Sequence, residues 1–226
     1  MRLSSLSYFA LFLFSLATGD WENAFSAQPG SNSSSRQKSA VRARDSARAP
    51  GSVADGLYRN SAFGFSYKIP VGWVDRTADM SAEAQSGEVG NAVVLLAIFE
   101  RPPEAAGDTV NSAVIIAAES MATYPGLKTP ADYFQAISEL TRNKGFKAVT
   151  EPFEFPAGMR ALVRGDFSKE LGKLTMHQSS LAMVQKGYAA SFTFLAGSED
   201  EVDELVDRLS FAGTKLGVGA KPRLPH

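Results

Sequence analysis

Apolar and polar positions alternate from the middle of the chain onward. Phe63, Phe65, Tyr67 and Ile69 share one parity while Gly64, Ser66 and Lys68 take the other. That is the period of a half-buried strand, and Pro70-Val71-Gly72-Trp73 ends it. Asn91 to Glu100 contains Val93-Val94-Leu95-Leu96-Ala97-Ile98-Phe99, apolar on both parities, which predicts a central strand covered by helices. Ser112 to Glu119, with Val114-Ile115-Ile116, reads the same way. Asp75 to Gly90 has no clear period and is expected to be a loop with at most one turn of helix.

One helix carries strong punctuation. Thr129 is placed to be its N-cap, Pro130 takes the first helical position, Asp132 suits the positive end, and Gly145 stops it. Tyr133, Phe134, Ile137 and Leu140, spaced by threes and fours, predict one stripe packed on a sheet. After it comes a meander. Phe146 to Phe155 is extended and turns at Pro156-Ala157-Gly158; Met159 to Phe167 follows and turns at Lys169-Glu170-Leu171-Gly172. Lys173 to Gln185 then turns at Lys186-Gly187 into Tyr188 to Ala196, where Tyr188, Ala190, Phe192 and Phe194 share a face. Ser198 opens a capping box with Glu201, and a last helix is expected through Val202, Leu205, Val206 and Leu209 to Phe211, ended by Gly213.

This order of elements resembles the PsbP-like superfamily. The resemblance rests on Tyr58, on Phe63-Gly64-Phe65-Ser66-Tyr67-Lys68-Ile69-Pro70-Val71-Gly72-Trp73, on Thr129-Pro130-Ala131-Asp132-Tyr133-Phe134 and on the closing Glu201 to Phe211, and covers residues 57–212. It implies an α+β fold in which an antiparallel β-sheet is flanked by helices, an α/β/α sandwich. That superfamily includes PsbP of the photosystem II oxygen-evolving complex, the Ran-GTPase release factors and many exported bacterial domains, and its fold is used chiefly for partner contact. Neither photosystem nor Ran binding carries over, since no partner-contact motif of either group can be matched.

The flanks differ in composition from this domain. Met1-Arg2, the apolar Leu3 to Ala17 and the small residues Ala17-Thr18-Gly19 form an export signal, expected to be cleaved before Asp20. An uncleaved anchor is the alternative, but the apolar run is shorter than the roughly 20 residues that span a bilayer. Residues 20–56 are rich in Ser, Ala, Gly, Asn and Arg and have almost no large apolar residue after Phe25, so they read as a disordered basic linker. Residues 213–226 read as a flexible tail. Residues 57–212 hold 14 basic and 20 acidic side chains, a balance of −6, whereas the flanks hold 9 and 4, a balance of +5. A domain of that sign lacks the clustered positive face that phosphate contacts need, which argues against nucleic acid as a partner.

Candidate chemistry is sparse. With no cysteine and two histidines, disulfides, thiol catalysis and cysteine-bound zinc are excluded. His177 lies on the strand parity of Thr175 and Ser179, where a histidine is usually hydrogen-bonded or exposed rather than catalytic. Glu199, Asp200, Glu201, Asp203, Glu204 and Asp207 are dense enough for a weak cation site, but they open a helix, where negative charge complements the dipole. Ser35-Arg36-Gln37-Lys38 matches the S-x-x-K pattern, yet sits in the linker, away from any rigid helix. The Pro102-Pro103-Glu104 to Thr109 stretch reads as a plain connection. No catalytic, cofactor-binding or metal residue is assigned and no cofactor is expected. The sequence thus predicts an exported, periplasmic or extracellular, non-enzymatic binding or assembly module of the cell envelope with a protein partner. The alternative is a carrier of an apolar small molecule in a cavity between sheet and helix. Membrane contact is expected only if the signal segment stays uncleaved.

Overall fold

Pairing starts one hairpin before the aromatic strand. In the computed structural model, which describes residues 51–86, 92–105, 107–124, 126–157, 160–211 and 214–215, strand β1 (Ser52–Ala54) turns through Asp55-Gly56 into β2 (Leu57–Asn60). Both turn residues have positive φ, 51° and 69°, as the two-residue turns that match strand twist require. The domain therefore starts before Leu57, and the last residues of the expected linker are sheet. The export signal at 1–19, the Ser35 to Lys38 pattern and the tail beyond Lys215 lie outside the described residues.

β2 pairs with β3 (Phe65–Lys68), and β3 pairs in turn with β12 (Leu209–Phe211), which pairs with β13 (Thr214–Lys215). This small sheet has the order β1-β2-β3-β12-β13. Two expectations are corrected by it. The last helix stops at Asp207 rather than Phe211, because Leu209 and Phe211 bury by strand alternation against β3. Thr214 and Lys215, counted with the flexible tail, pair with β12.

The large sheet is built from β4 (Val74–Asp75), β5 (Ala92–Phe99), β6 (Ala113–Ser120), β7 (Lys147–Ala148), β8 (Phe153–Ala157), β9 (Arg160–Leu171), β10 (Leu174–Gln185) and β11 (Tyr188–Ala196). Its order is β4-β5-β6-β11-β10-β9-β7, with β8 also on β9, and every pairing is antiparallel. β5 is thus next to the edge and not central. It is nonetheless buried on both faces, and a register shift between Val94 and Leu96 puts both Leu95 and Leu96 on one face. The extended stretch from Phe146 splits into β7 and β8. β9 runs through Leu171, so the turn expected at 169–172 reduces to Gly172-Lys173. The Lys186-Gly187 turn stands as read, with φ of 52° and 79°.

Residues 77–86, expected to be loop, form helix α1 (Thr77–Ser86). It buries Met80 and Ala84 against β5, Thr77 Oγ1 accepts from the Ala97 amide at 2.9 Å, and Ser81 donates to the Val94 carbonyl. α1 so covers the edge that two-residue β4 leaves open. Helix α2 (Pro130–Asn143) begins as its punctuation predicts: Thr129 accepts from the Asp132 amide at 3.1 Å, and Asp132 accepts from the Thr129 amide at 2.9 Å. Helix α3 (Glu199–Asp207) has half the expected box. Ser198 accepts from the Glu201 amide, but the Glu201 side chain accepts from the Gly197 amide and the Ser112 hydroxyl instead.

Two apolar clusters result. One face of the large sheet presents Leu96, Ile98, Ile116, Leu181, Phe192 and Phe194 to Phe65 and Tyr67 of the small sheet and to Val202 and Val206 of α3. The other presents Val94, Ile115, Val163 and Phe167 to α1 and to Tyr133 and Phe134 of α2. The fold is α+β and antiparallel, as expected. On one face, however, a second sheet shares the flanking role with α3, in place of helices alone.

Candidate functional site

Three polar places stand out, and two of them are buried. The first lies between the large sheet and α3. Arg164, on the parity of core residue Leu162, is buried, donating to Asp166 at 2.9 Å and to Asp203 at 2.6 Å with its guanidinium over the Phe155 ring. Asp203 is the member of the acidic run that this arginine recruits. Glu199 lies 4.0 Å from His177 Nδ1, and Glu201 holds Ser112 and Gly197. The acidic residues are thus divided among separate partners. Among the described residues, no three His, Asp or Glu side chains converge as a metal site would need.

His177 and Ser179 share the α3-facing side of β10, and Asp166 stands opposite Ser179 in the β9 register. The three residue types of a nucleophilic relay are therefore neighbours. The relay is not made: His177 Nδ1 and Ser179 Oγ are both buried without a hydrogen bond, and Ser179 is fully enclosed. A nucleophile needs its base within about 2.6–3.2 Å and access to substrate.

The second place is Glu119, on β6 beneath α2. Burial pushes its carboxyl above the ordinary 4.5, while hydrogen bonds from the Tyr133 and Tyr124 hydroxyls pull the other way. Desolvation and the adjacent carboxylate in turn raise the Tyr133 hydroxyl far above its ordinary value. Neutral phenols donating to an enclosed carboxyl suit a core polar cluster, with Tyr133 buried and Tyr124 half-buried on its outer side.

The third place is open. Between the outer side of α2 and the β7–β8 edge runs a groove of about 600 Å³. Phe134, Val163, Pro152 and Phe153 give it an apolar floor. Exposed Gln135, Glu139, Arg142, Glu151 and Glu154 stand around it. Ser138, 5% exposed, presents there a hydroxyl with no hydrogen-bond partner. Glu139, Glu151 and Glu154 form no ion pair among the described residues. The sheet positions this groove through Gly165: a Cβ there would meet the Phe134 ring at 2.8 Å, so its absence lets α2 settle close to β9. Sequence reasoning missed both the Arg164 cluster and the groove. The alternation of β9 put Arg164 with Leu162, which was the available signal for a buried charge. By contrast Pro102 to Thr109 is the plain connection expected, with Glu104 paired to Arg76 and Arg101 bonded to Thr109.

No helix of the described residues is long and apolar enough to cross a membrane. No protein-family model matches the chain, and no curated protein matches it. Solved structures similar to it include cyanobacterial PsbP (CyanoP) from Synechocystis sp. PCC 6803, at 14% identity and a TM-score of 0.45, covering 72% of this chain and 97% of that one. LpqN of Mycobacterium tuberculosis, described as involved in cell envelope biogenesis, is 16% identical with a TM-score of 0.37, covering 72% and 85%. A Pseudomonas aeruginosa protein of unknown function, PA94, is 15% identical with a TM-score of 0.34, covering 66% and 85%.

Proposed function

We propose that this protein is an exported, non-catalytic module of the cell envelope that binds a protein partner through the groove between α2 and β8. The observation that carries the reading is the groove itself: an apolar floor rimmed by three carboxylates that form no ion pair among the described residues, on a domain whose Ser, His and Asp neighbours do not form a relay. Apolar floors with polar rims are the anatomy of protein contact surfaces. Export rests on Arg2, the Leu3 to Ala17 run and Ala17-Thr18-Gly19. Partner contact is favoured over carriage of an apolar molecule, because Phe134, stacked on Phe167 with centroids 6.5 Å apart, and Tyr133 fill the space between α2 and the sheet.

The test is site-specific photo-cross-linking in the native envelope. A cross-linker at Gln135, inside the groove, is expected to give a discrete adduct, and one at Lys173, on the β9–β10 turn, none. Equal adducts from both positions would sink the groove. Turnover of any substrate that His177→Ala abolishes in a folded chain would overturn the non-catalytic reading.

A further inference from the structure

We propose that residues 36–48 of this same chain dock in the α2–β8 groove and occupy it until a partner displaces them. The inference rests on the groove reading above and adds how that site is regulated. Charge is the first argument. The segment Arg36-Gln37-Lys38-Ser39-Ala40-Val41-Arg42-Ala43-Arg44-Asp45-Ser46-Ala47-Arg48 carries five cations and one anion. The groove sets Glu139, Glu151 and Glu154 against Arg142 alone, and those three carboxylates have no ion-pair partner among the described residues.

Pattern is the second argument. In an extended backbone Val41 and Ala43 point to one side and Arg42 and Arg44 to the other. Docked in that form, the small apolar side chains would face Pro152 and Phe153, the arginine stems would lie along apolar surface, and their guanidinium groups would reach the rim carboxylates. The Ser138 hydroxyl, buried and without a partner, sits where a backbone carbonyl or amide of an extended segment would satisfy it.

Connectivity is the third. The chain enters the described fold at Gly51, whose amide donates to the Tyr58 hydroxyl. Tyr58 accepts from Asn60, Asn60 accepts from the Phe63 amide, and the Phe63 carbonyl accepts from Arg160 at the start of β9. Val163 is three residues along that strand, about 10 Å away. The eight residues from Ala43 to Gly51 span up to about 28 Å, enough to round the exposed edge of β8. A tether this short holds the segment at an effective concentration on the order of millimolar, so even weak docking fills the groove.

The absence of cysteine makes the test direct. A nitroxide on Ala43→Cys in the full chain is expected to erase most of the amide signal of Gln135, Ser138 and Glu154 while leaving Thr77 and Ser81 on α1 unchanged. The loss should recover at about 1 M salt, where charges are screened within about 3 Å. It should also recover in the triple variant Glu139→Lys, Glu151→Lys, Glu154→Lys. Uniform broadening, or broadening that the triple variant leaves intact, overturns the proposal. Broadening that appears between spin-labelled and separately isotope-labelled copies assigns the groove to a second chain and overturns it as well. If broadening is flat while the triple variant still loses its envelope cross-link from Gln135, self-docking fails and the groove reading stands. If both are flat, both fail.

Discussion

Arg164 and Glu119 are two buried charged residue types with opposite solutions, and they respond differently to change. Arg164 is paired twice, so Arg164→Met takes the buried cation away from both Asp166 and Asp203. Breaking a buried pair from one side costs about 3–5 kcal/mol, and urea denaturation should show a loss of that size. Asp203→Asn, removing a partner whose side chain is 23% exposed, should cost clearly less. Glu119 has phenolic donors and, among the described residues, no cation beside it. Its folded pKa lies above 4.5, so between those values the folded chain keeps a proton that the unfolded chain releases. Stability therefore falls as pH rises from about 4.5 and levels off above the folded pKa. Glu119→Gln keeps an acceptor for Tyr133 and removes that slope. It is expected to be at least as stable as the parent near neutrality and to gain nothing below about pH 4.5. An unchanged slope in urea titrations across this range would refute the assignment.

At the scale of elements, the contact of α2 with the sheet is set by one missing methyl group. Gly165→Ala drives a Cβ to 2.8 Å from the Phe134 ring and should cost about 1–3 kcal/mol by overpacking, shifting α2 and the groove with it. Phe192, fully buried between the sheets, should lose about 3–5 kcal/mol on truncation to Ala. Trp73, at the end of the Pro70-Val71-Gly72-Trp73 corner, is only half-buried beside that cluster, and Trp73→Ala should cost less than Phe192→Ala in the same urea assay. The elements that were legible carry local signals: aromatic alternation in β3 and β11, and the Thr129-Pro130-Asp132 start of α2. α1 was not legible because its buried face is Met80 and Ala84 in a polar, alanine-rich stretch, too small a stripe to show a period. Leu209 misled because it lies three and four residues from Val206 and Leu205 yet also two from Phe211, so helical and strand periods both fit; pairing with β3 decided it. The groove and the Arg164 cluster join residues far apart in sequence, Arg164 and Asp203 by 39 positions, and no local pattern encodes such a meeting.

At the scale of the whole molecule, the boundary of the folded unit decides what the small sheet can tolerate. β1 contributes Ser52, Val53 and Ala54, all exposed, so its worth lies in backbone pairing with β2 and in the Gly51 amide that donates to Tyr58 at 3.2 Å. A chain beginning at Leu57 loses those bonds and bares β2 as an edge, while every large apolar side chain of both clusters remains. At about 1 net kcal/mol per hydrogen bond it should unfold cooperatively but earlier, by roughly 1–3 kcal/mol. A chain beginning at Gly51 should match the full chain in high salt, where docking of residues 36–48 is screened, and fall slightly below it in low salt, where docking adds stability to the folded state alone. Thermal melts of the three chains at two salt concentrations check this. Equal melting of the Leu57 and Gly51 chains would put β1 outside the cooperative unit. A salt-independent gap between the Gly51 chain and the full chain would mean that the preceding residues stabilise the fold by something other than charge.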